Sequence, residues 1–225
     1  MNSTPMQRPR HARRPLPWLA AWLAVVGMVG LAGVAAPWSA HARVVHQERS
    51  VYSTILVDQR GSIICMQFNV RRDQRNQSCL DRRRPKVMLF PYTRMMMASL
   101  LLNAEPRRIL MIGLGGGTLP LALDELLPAA RQDVIEIDPA VVRVAREHFG
   151  FAPSERVNVV AQDGRVFVKR ATQRGDRYDL IMLDAFTSEY IPEHLMTREF
   201  LEEVRGLLAE GGVLAANTFS ISELY

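Results

Sequence analysis

Arg108-Ile109-Leu110-Met111-Ile112-Gly113-Leu114-Gly115-Gly116-Gly117 runs from an apolar segment straight into glycine. Val134-Ile135-Glu136-Ile137-Asp138 makes a second apolar start about twenty residues on and ends in acids. Consecutive large apolar side chains stopped by turn residues read as a strand buried on both faces. The glycines behind it let the backbone turn tightly and come closer to a ligand than a Cβ permits. A carboxylate near the tip of the following strand stands where a Rossmann-like sheet holds ribose hydroxyls. The pair predicts a nucleoside-bearing ligand at the carboxyl ends of parallel strands, and hence an enzyme.

Alternation continues on both sides. Strands are expected at Ile109–Ile112, Gln132–Ile137, Val157–Ala161, Tyr178–Leu183 and Val213–Thr218. Helices are expected at Leu119–Leu127, at Pro139–His148 with Asp138 as its cap, at Gly164–Arg170, and at Thr197–Leu208 before a stop at Gly211-Gly212. Such alternation implies a parallel sheet covered on both faces. Toward the amino end, Val51–Val57 and Ser62–Phe68 flank Asp58-Gln59-Arg60-Gly61 and read as a β-hairpin. Arg71–Arg84 is arginine-rich and reads as a solvated loop or a further hairpin. Tyr92–Leu102 reads as a helix, with Met95, Met96, Leu100 and Leu101 facing the core.

The chain has 225 residues and a net charge of +5, but four arginines (Arg8, Arg10, Arg13, Arg14) lie in the first fourteen residues. Without them the charge falls to +1, which argues against nucleic acid as a partner. An uncharged apolar run and Ala40-His41-Ala42 follow, so residues 1–42 are expected to be an export signal cleaved after Ala42. The alternative is a membrane anchor through residues 16–36. Either way the folded part is expected to be exported, periplasmic or held outside the inner membrane. In that compartment Cys65 and Cys79 leave two readings open, a disulfide or two unrelated thiols. The expected organisation is a leader over 1–42, a small β-hairpin domain with a linking helix over 43–104, and a Rossmann-like nucleoside-binding domain over 105–225. No metal site is expected.

The glycine-rich strand turn, Glu136-Ile137-Asp138, Gln162-Asp163-Gly164, Tyr178-Asp179-Leu180-Ile181-Met182-Leu183-Asp184 and Gly211-Gly212-Val213-Leu214 occur in an order that resembles the spermidine synthase family of aminopropyltransferases. The resemblance spans Val51–Tyr225. It implies a class I methyltransferase-type Rossmann domain behind a small β domain, a homodimer, and no permanently bound cofactor. Decarboxylated S-adenosylmethionine would be the co-substrate and a small amine the acceptor. By the same resemblance Gly113, Gly115 and Gly117 form the cofactor loop, Glu136 binds ribose, and Asp163 with Gly164 meets adenine. Asp184 is the general base that accepts a proton from the acceptor ammonium. Tyr92, Thr187 and Glu189 are the candidate substrate-binding residues.

The amine half of the family pattern differs here. Gly116 stands for the loop aspartate, Thr187 for the aspartate three residues after Asp184, Ser53 for a glutamine, and Tyr92-Thr93-Arg94 for Tyr-His-Glu. Multiply charged amines need carboxylates to offset their desolvation. Two alternatives therefore stand beside aminopropyl transfer: an S-adenosylmethionine-dependent methyltransferase, and a non-catalytic exported protein that keeps the fold. The family's sheet receives two further antiparallel strands after strand five, so this sequence is expected to be truncated, with completion of the sheet by a partner chain as the alternative.

Overall fold

A computed structural model of the chain describes residues 42–68, 76–186 and 191–218. Four antiparallel strands pair in sequential order: β1 (Arg43–Arg49), β2 (Thr54–Arg60), β3 (Ile63–Phe68) and β4 (Asn76–Asp81). β2 and β3 form the expected hairpin, but β2 runs on to Arg60, which pairs with Ile63. Gly61 turns the chain at φ +60°, the conformation that a two-residue hairpin loop requires. The arginine-rich stretch contributes β4, and its Cys79 sits directly opposite Cys65. The two sulfurs form a disulfide, which decides between the readings left open above.

Helix α1 (Pro91–Met97) passes into a 3-10 turn over Ala98–Leu101 rather than continuing as one helix. Its buried stripe is Thr93, Met96 and Ser99, with both hydroxyls satisfied by donating to the Phe90 and Met96 carbonyls. Met95 and Leu101, expected in the core, are 75% and 87% exposed. A contact stripe that advances three residues at a time leaves those two positions outside it.

Next come β5 (Arg108–Ile112), α2 (Thr118–Leu126), β6 (Arg131–Glu136), α3 (Pro139–His148), β7 (Val157–Ala161), α4 (Gly164–Arg174), β8 (Tyr178–Leu183), α5 (Arg198–Gly206) and β9 (Leu208–Ala216). The strands are parallel in the order β7-β6-β5-β8-β9. The chain steps outward from β5 to β7 and then crosses back to β8. That reversal leaves a crevice beyond the carboxyl ends of β5 and β8. Ile109, Met111, Val134 and Leu180 meet Leu119, Leu123 and Phe151 on one face; Leu110, Ile112 and Ile181 meet Phe167, Val168, Phe200 and Val204 on the other. Helix α3 is shared between layers. Ala145 packs in the first of those clusters, while Ala140, Val141 and Val144 pack against Ile55, Val57, Ile64 and Met66. This brings the small sheet beside the crevice.

Gly211-Gly212 does not stop α5, which ends at Gly206 with β9 already starting at Leu208. Leu208 pairs with Tyr178 and Val213 with Leu180, so the intervening residues bulge from the ladder. Gly211 at φ +72° makes that bulge, and a Cβ on Gly212 would lie 2.9 Å from the Ala209 carbonyl oxygen.

Candidate active site

The loop after β5 is shaped by what presses on it. Gly113 donates its N–H to the Ile135 carbonyl (2.8 Å), and the Asp184 N–H donates to the Ile112 carbonyl (2.8 Å). Gly113 sits at φ +102°, where a Cβ would come within 2.2 Å of the Asp184 carbonyl oxygen. Only glycine fits between the ends of β5 and β8. Gly117, at φ +81°, packs its α-carbon against Phe151, whose ring would be 2.3 Å from a Cβ. Gly113, Gly115 and Thr118 line the crevice, whereas Gly117 belongs to the packing behind it. Gly164 is equally tight: a Cβ there would meet Ile112 Cγ2 at 2.6 Å, so α4 starts hard against β5.

The crevice encloses about 450 Å³, and its lining includes Glu136, Asp163, Gly164, Tyr92 and Asp184. Glu136 is buried at the end of β6. One carboxylate oxygen accepts the Leu114 N–H and the other the Asp138 N–H, both at 3.0 Å. Each oxygen keeps a second lone pair, the capacity needed for two hydroxyls. Burial raises its pKa, against the lowering effect of the backbone N–H groups around it. Asp138 caps α3 as expected, accepting the Ala140 N–H (2.9 Å), and also accepts from the Ser50 hydroxyl. Ser50 belongs to the turn that carries Tyr52 and Ser53 to the crevice. Asp163 caps α4 through the Val166 N–H (2.9 Å), and its other oxygen lies 2.9 Å from His194 Nε2.

Asp184 follows β8 and is gripped from two sides. Asn217, just past β9, donates Nδ2–H to Oδ1 (2.9 Å), and the Tyr92 hydroxyl donates to Oδ2 (3.3 Å). Burial pushes the Asp184 pKa up from 3.8 to about 6, even though both hydrogen bonds pull it down. Burial and the neighbouring Asp184 push the Tyr92 hydroxyl up as well, which keeps it a donor. A carboxylate of this kind is ionised at neutral pH yet basic enough to take a proton from a bound ammonium.

Thr187 and Glu189 lie outside the described residues. Arg94 is exposed and does not line the crevice, so its charge is not set against an amine there. Gly116 admits no side chain, because a Cβ would lie 2.6 Å from Ser78 Oγ and 2.9 Å from the Phe149 ring. Among the described residues, no group of three or more His, Cys, Asp or Glu is placed to hold a metal ion. None is a helix long and apolar enough to cross a membrane. Two crevice residues, Asn217 and His194, escaped the sequence reading. Asn217 gave one faint signal, a polar residue ending an apolar strand; His194 gave none.

A polyamine aminopropyltransferase of Vibrio vulnificus is 49% identical over 183 residues, covering 81% of this chain and 61% of that protein. The chain therefore spans about 60% of that relative's length. A mouse eEF1A lysine and N-terminal methyltransferase is 35% identical over 124 residues, 52% of this chain and 18% of that one. A solved structure of a probable spermidine synthase from Corynebacterium glutamicum shares the fold at TM-score 0.65 and 23% identity, covering 78% of this chain and 64% of that one. Residues 89–223 match the family model described as the spermine/spermidine synthase domain, and the chain belongs to that family.

Proposed function

We propose that the crevice binds decarboxylated S-adenosylmethionine and transfers its aminopropyl group to an amine, with Asp184 as the general base. Ribose would bind Glu136 and adenine Asp163. The acceptor nitrogen attacks the carbon next to the sulfonium. A carbon–nitrogen bond forms, the carbon–sulfur bond breaks with its electron pair going to sulfur, and the amine proton passes to Asp184. The donor is already activated by its positive sulfur, so freeing the amine lone pair is the task left to the protein. The observation that carries this reading is the Asp184 carboxylate, held by Tyr92 and Asn217, raised to about 6 and facing the crevice. Family membership supports it.

A second reading, methyl transfer from intact S-adenosylmethionine, is favoured by Gly116. An aspartate there would repel the carboxylate of that donor, and Ser78 and Phe149 leave it no room. Incubating the protein with decarboxylated S-adenosylmethionine and a panel of amines, putrescine among them, separates the two. Asp184-dependent release of 5′-methylthioadenosine supports aminopropyl transfer. Turnover with the intact donor alone, yielding S-adenosylhomocysteine, rejects it. We also propose export of the folded part, supported by the basic and apolar residues of 1–42 and by the Cys65–Cys79 disulfide.

A further inference from the structure

Helix α4 begins at a carboxylate with one oxygen to spare. Oδ1 of Asp163 is occupied by the Val166 N–H, and Oδ2 is met at 2.9 Å by Nε2 of His194. Both side chains line the crevice and both are partly open to solvent.

His194 is held there by its own backbone. It sits in a 3-10 turn, Glu193–Leu195, closed by the Leu195 N–H donating to the Pro192 carbonyl (2.8 Å). Leu195 is buried in the core formed with α4 and α5. Arg165, in the first turn of α4, donates Nη1–H to the His194 carbonyl (3.2 Å) and to Thr197 Oγ1 (3.4 Å). Its Nε lies 3.6 Å from a carboxylate oxygen of Glu203. One helix turn thus holds the segment twice, Arg165 by the main chain and Asp163 by the imidazole.

We propose that His194 is a positioning residue for the nucleobase. By donating Nε2–H to Asp163 Oδ2 it fixes the one oxygen that the helix cap leaves free. The remaining lone pair of that oxygen then accepts the exocyclic amino group of a 6-aminopurine. This rests on the reading of the crevice as an adenosyl site. A carboxylate oxygen accepts two donors, so imidazole and amino group can share it. Charge-assisted hydrogen bonds of this kind are the stronger ones and hold their geometry. Without the imidazole, water solvates Oδ2 and the amino group must displace it. The same crevice exposes Ile137 and offers Pro192 as apolar surface for a flat ring.

The test is calorimetric titration of 5′-methylthioadenosine into wild type, His194→Ala, Asp163→Asn and the double variant. His194→Ala is expected to weaken binding about tenfold, the usual loss for a hydrogen bond to a charged group. In the Asp163→Asn background the same change is expected to cost less than about twofold, because the amide carries no charge and its single acceptor oxygen serves the Val166 cap, leaving no carboxylate oxygen for His194 to fix. His194→Gln, which keeps a donor, should bind within about threefold of wild type, whereas His194→Leu should behave like alanine. An equal loss in both backgrounds would mark His194 as merely structural and overturn the proposal. Unchanged or tighter binding by both His194→Ala and His194→Leu would overturn it too. No binding by wild type would instead bring down the adenosyl reading, and this proposal with it.

Discussion

Replacing Asp184 with asparagine should damage turnover and strengthen the fold at the same time. The carboxyl is displaced from 3.8 to about 6 by burial. Holding it ionised therefore costs the native state about 3 kcal/mol, at 1.36 kcal/mol per tenfold change in proton affinity. The sign follows from the direction of the shift. Stability contributed by protonated Asp184 is fully present below about pH 3.8 and is lost as pH rises through about 6. Asparagine can keep both contacts, accepting from Asn217 through its oxygen and donating to the Tyr92 oxygen through its nitrogen. At pH 8 Asp184→Asn should therefore be more stable than wild type by about 2–3 kcal/mol. Near pH 4 the gap should almost vanish. Turnover should fall by about 10²–10⁴, the usual share of a general base. Urea unfolding at the two pH values, with release of 5′-methylthioadenosine as the activity readout, measures both. A variant less stable than wild type at pH 8, or a gap that does not change with pH, would mean that burial does not penalise the Asp184 carboxylate.

Asn217→Ala removes a hydrogen bond that lowers the Asp184 pKa, so the acidic limb of the rate profile should move above about 6; a limb that stays put or moves down contradicts this. Gly113→Ala forces a Cβ to 2.2 Å from the Asp184 carbonyl at φ +102°, and should cost about 3 kcal/mol or more in thermal or urea unfolding. Cys65 and Cys79 are 14 residues apart, and reducing their disulfide should destabilise the fold by about 3 kcal/mol, read as a lower midpoint with reductant that Cys65→Ser/Cys79→Ser reproduces.

The parallel sheet was legible because its strands are short apolar runs stopped by turn residues, from Ile109–Ile112 to Tyr178–Leu183. The acids at its tips were legible for the same reason: Glu136, Asp163 and Asp184 each follow such a run and reach one crevice. β1 was not legible, because Arg43-Val44-Val45-His46-Gln47-Glu48-Arg49 has little apolar pattern and is ordered by pairing with β2. Gly211-Gly212 misled for a physical reason: glycine stops a helix and bulges a strand with the same positive φ, and only the Tyr178–Leu208 pairing separates the two. At Gly117 the Phe151 ring excludes a side chain, a packing demand that local sequence does not display. His194 and Asn217 lie 31 and 33 residues from the acids they hold, and crossovers of the sheet bring them there. Local sequence carries no record of that meeting.

The crevice is proposed as one cradle for an adenosyl thioether, with Asp184 at its reactive end. A crystal structure of the complex with 5′-methylthioadenosine should show ribose hydroxyls on Glu136, the purine amino group on Asp163, and the sulfur on the side of the crevice where Tyr92 and Asn217 hold Asp184. Density for the nucleoside anywhere else, or with its sulfur turned away from Asp184, would contradict the proposal.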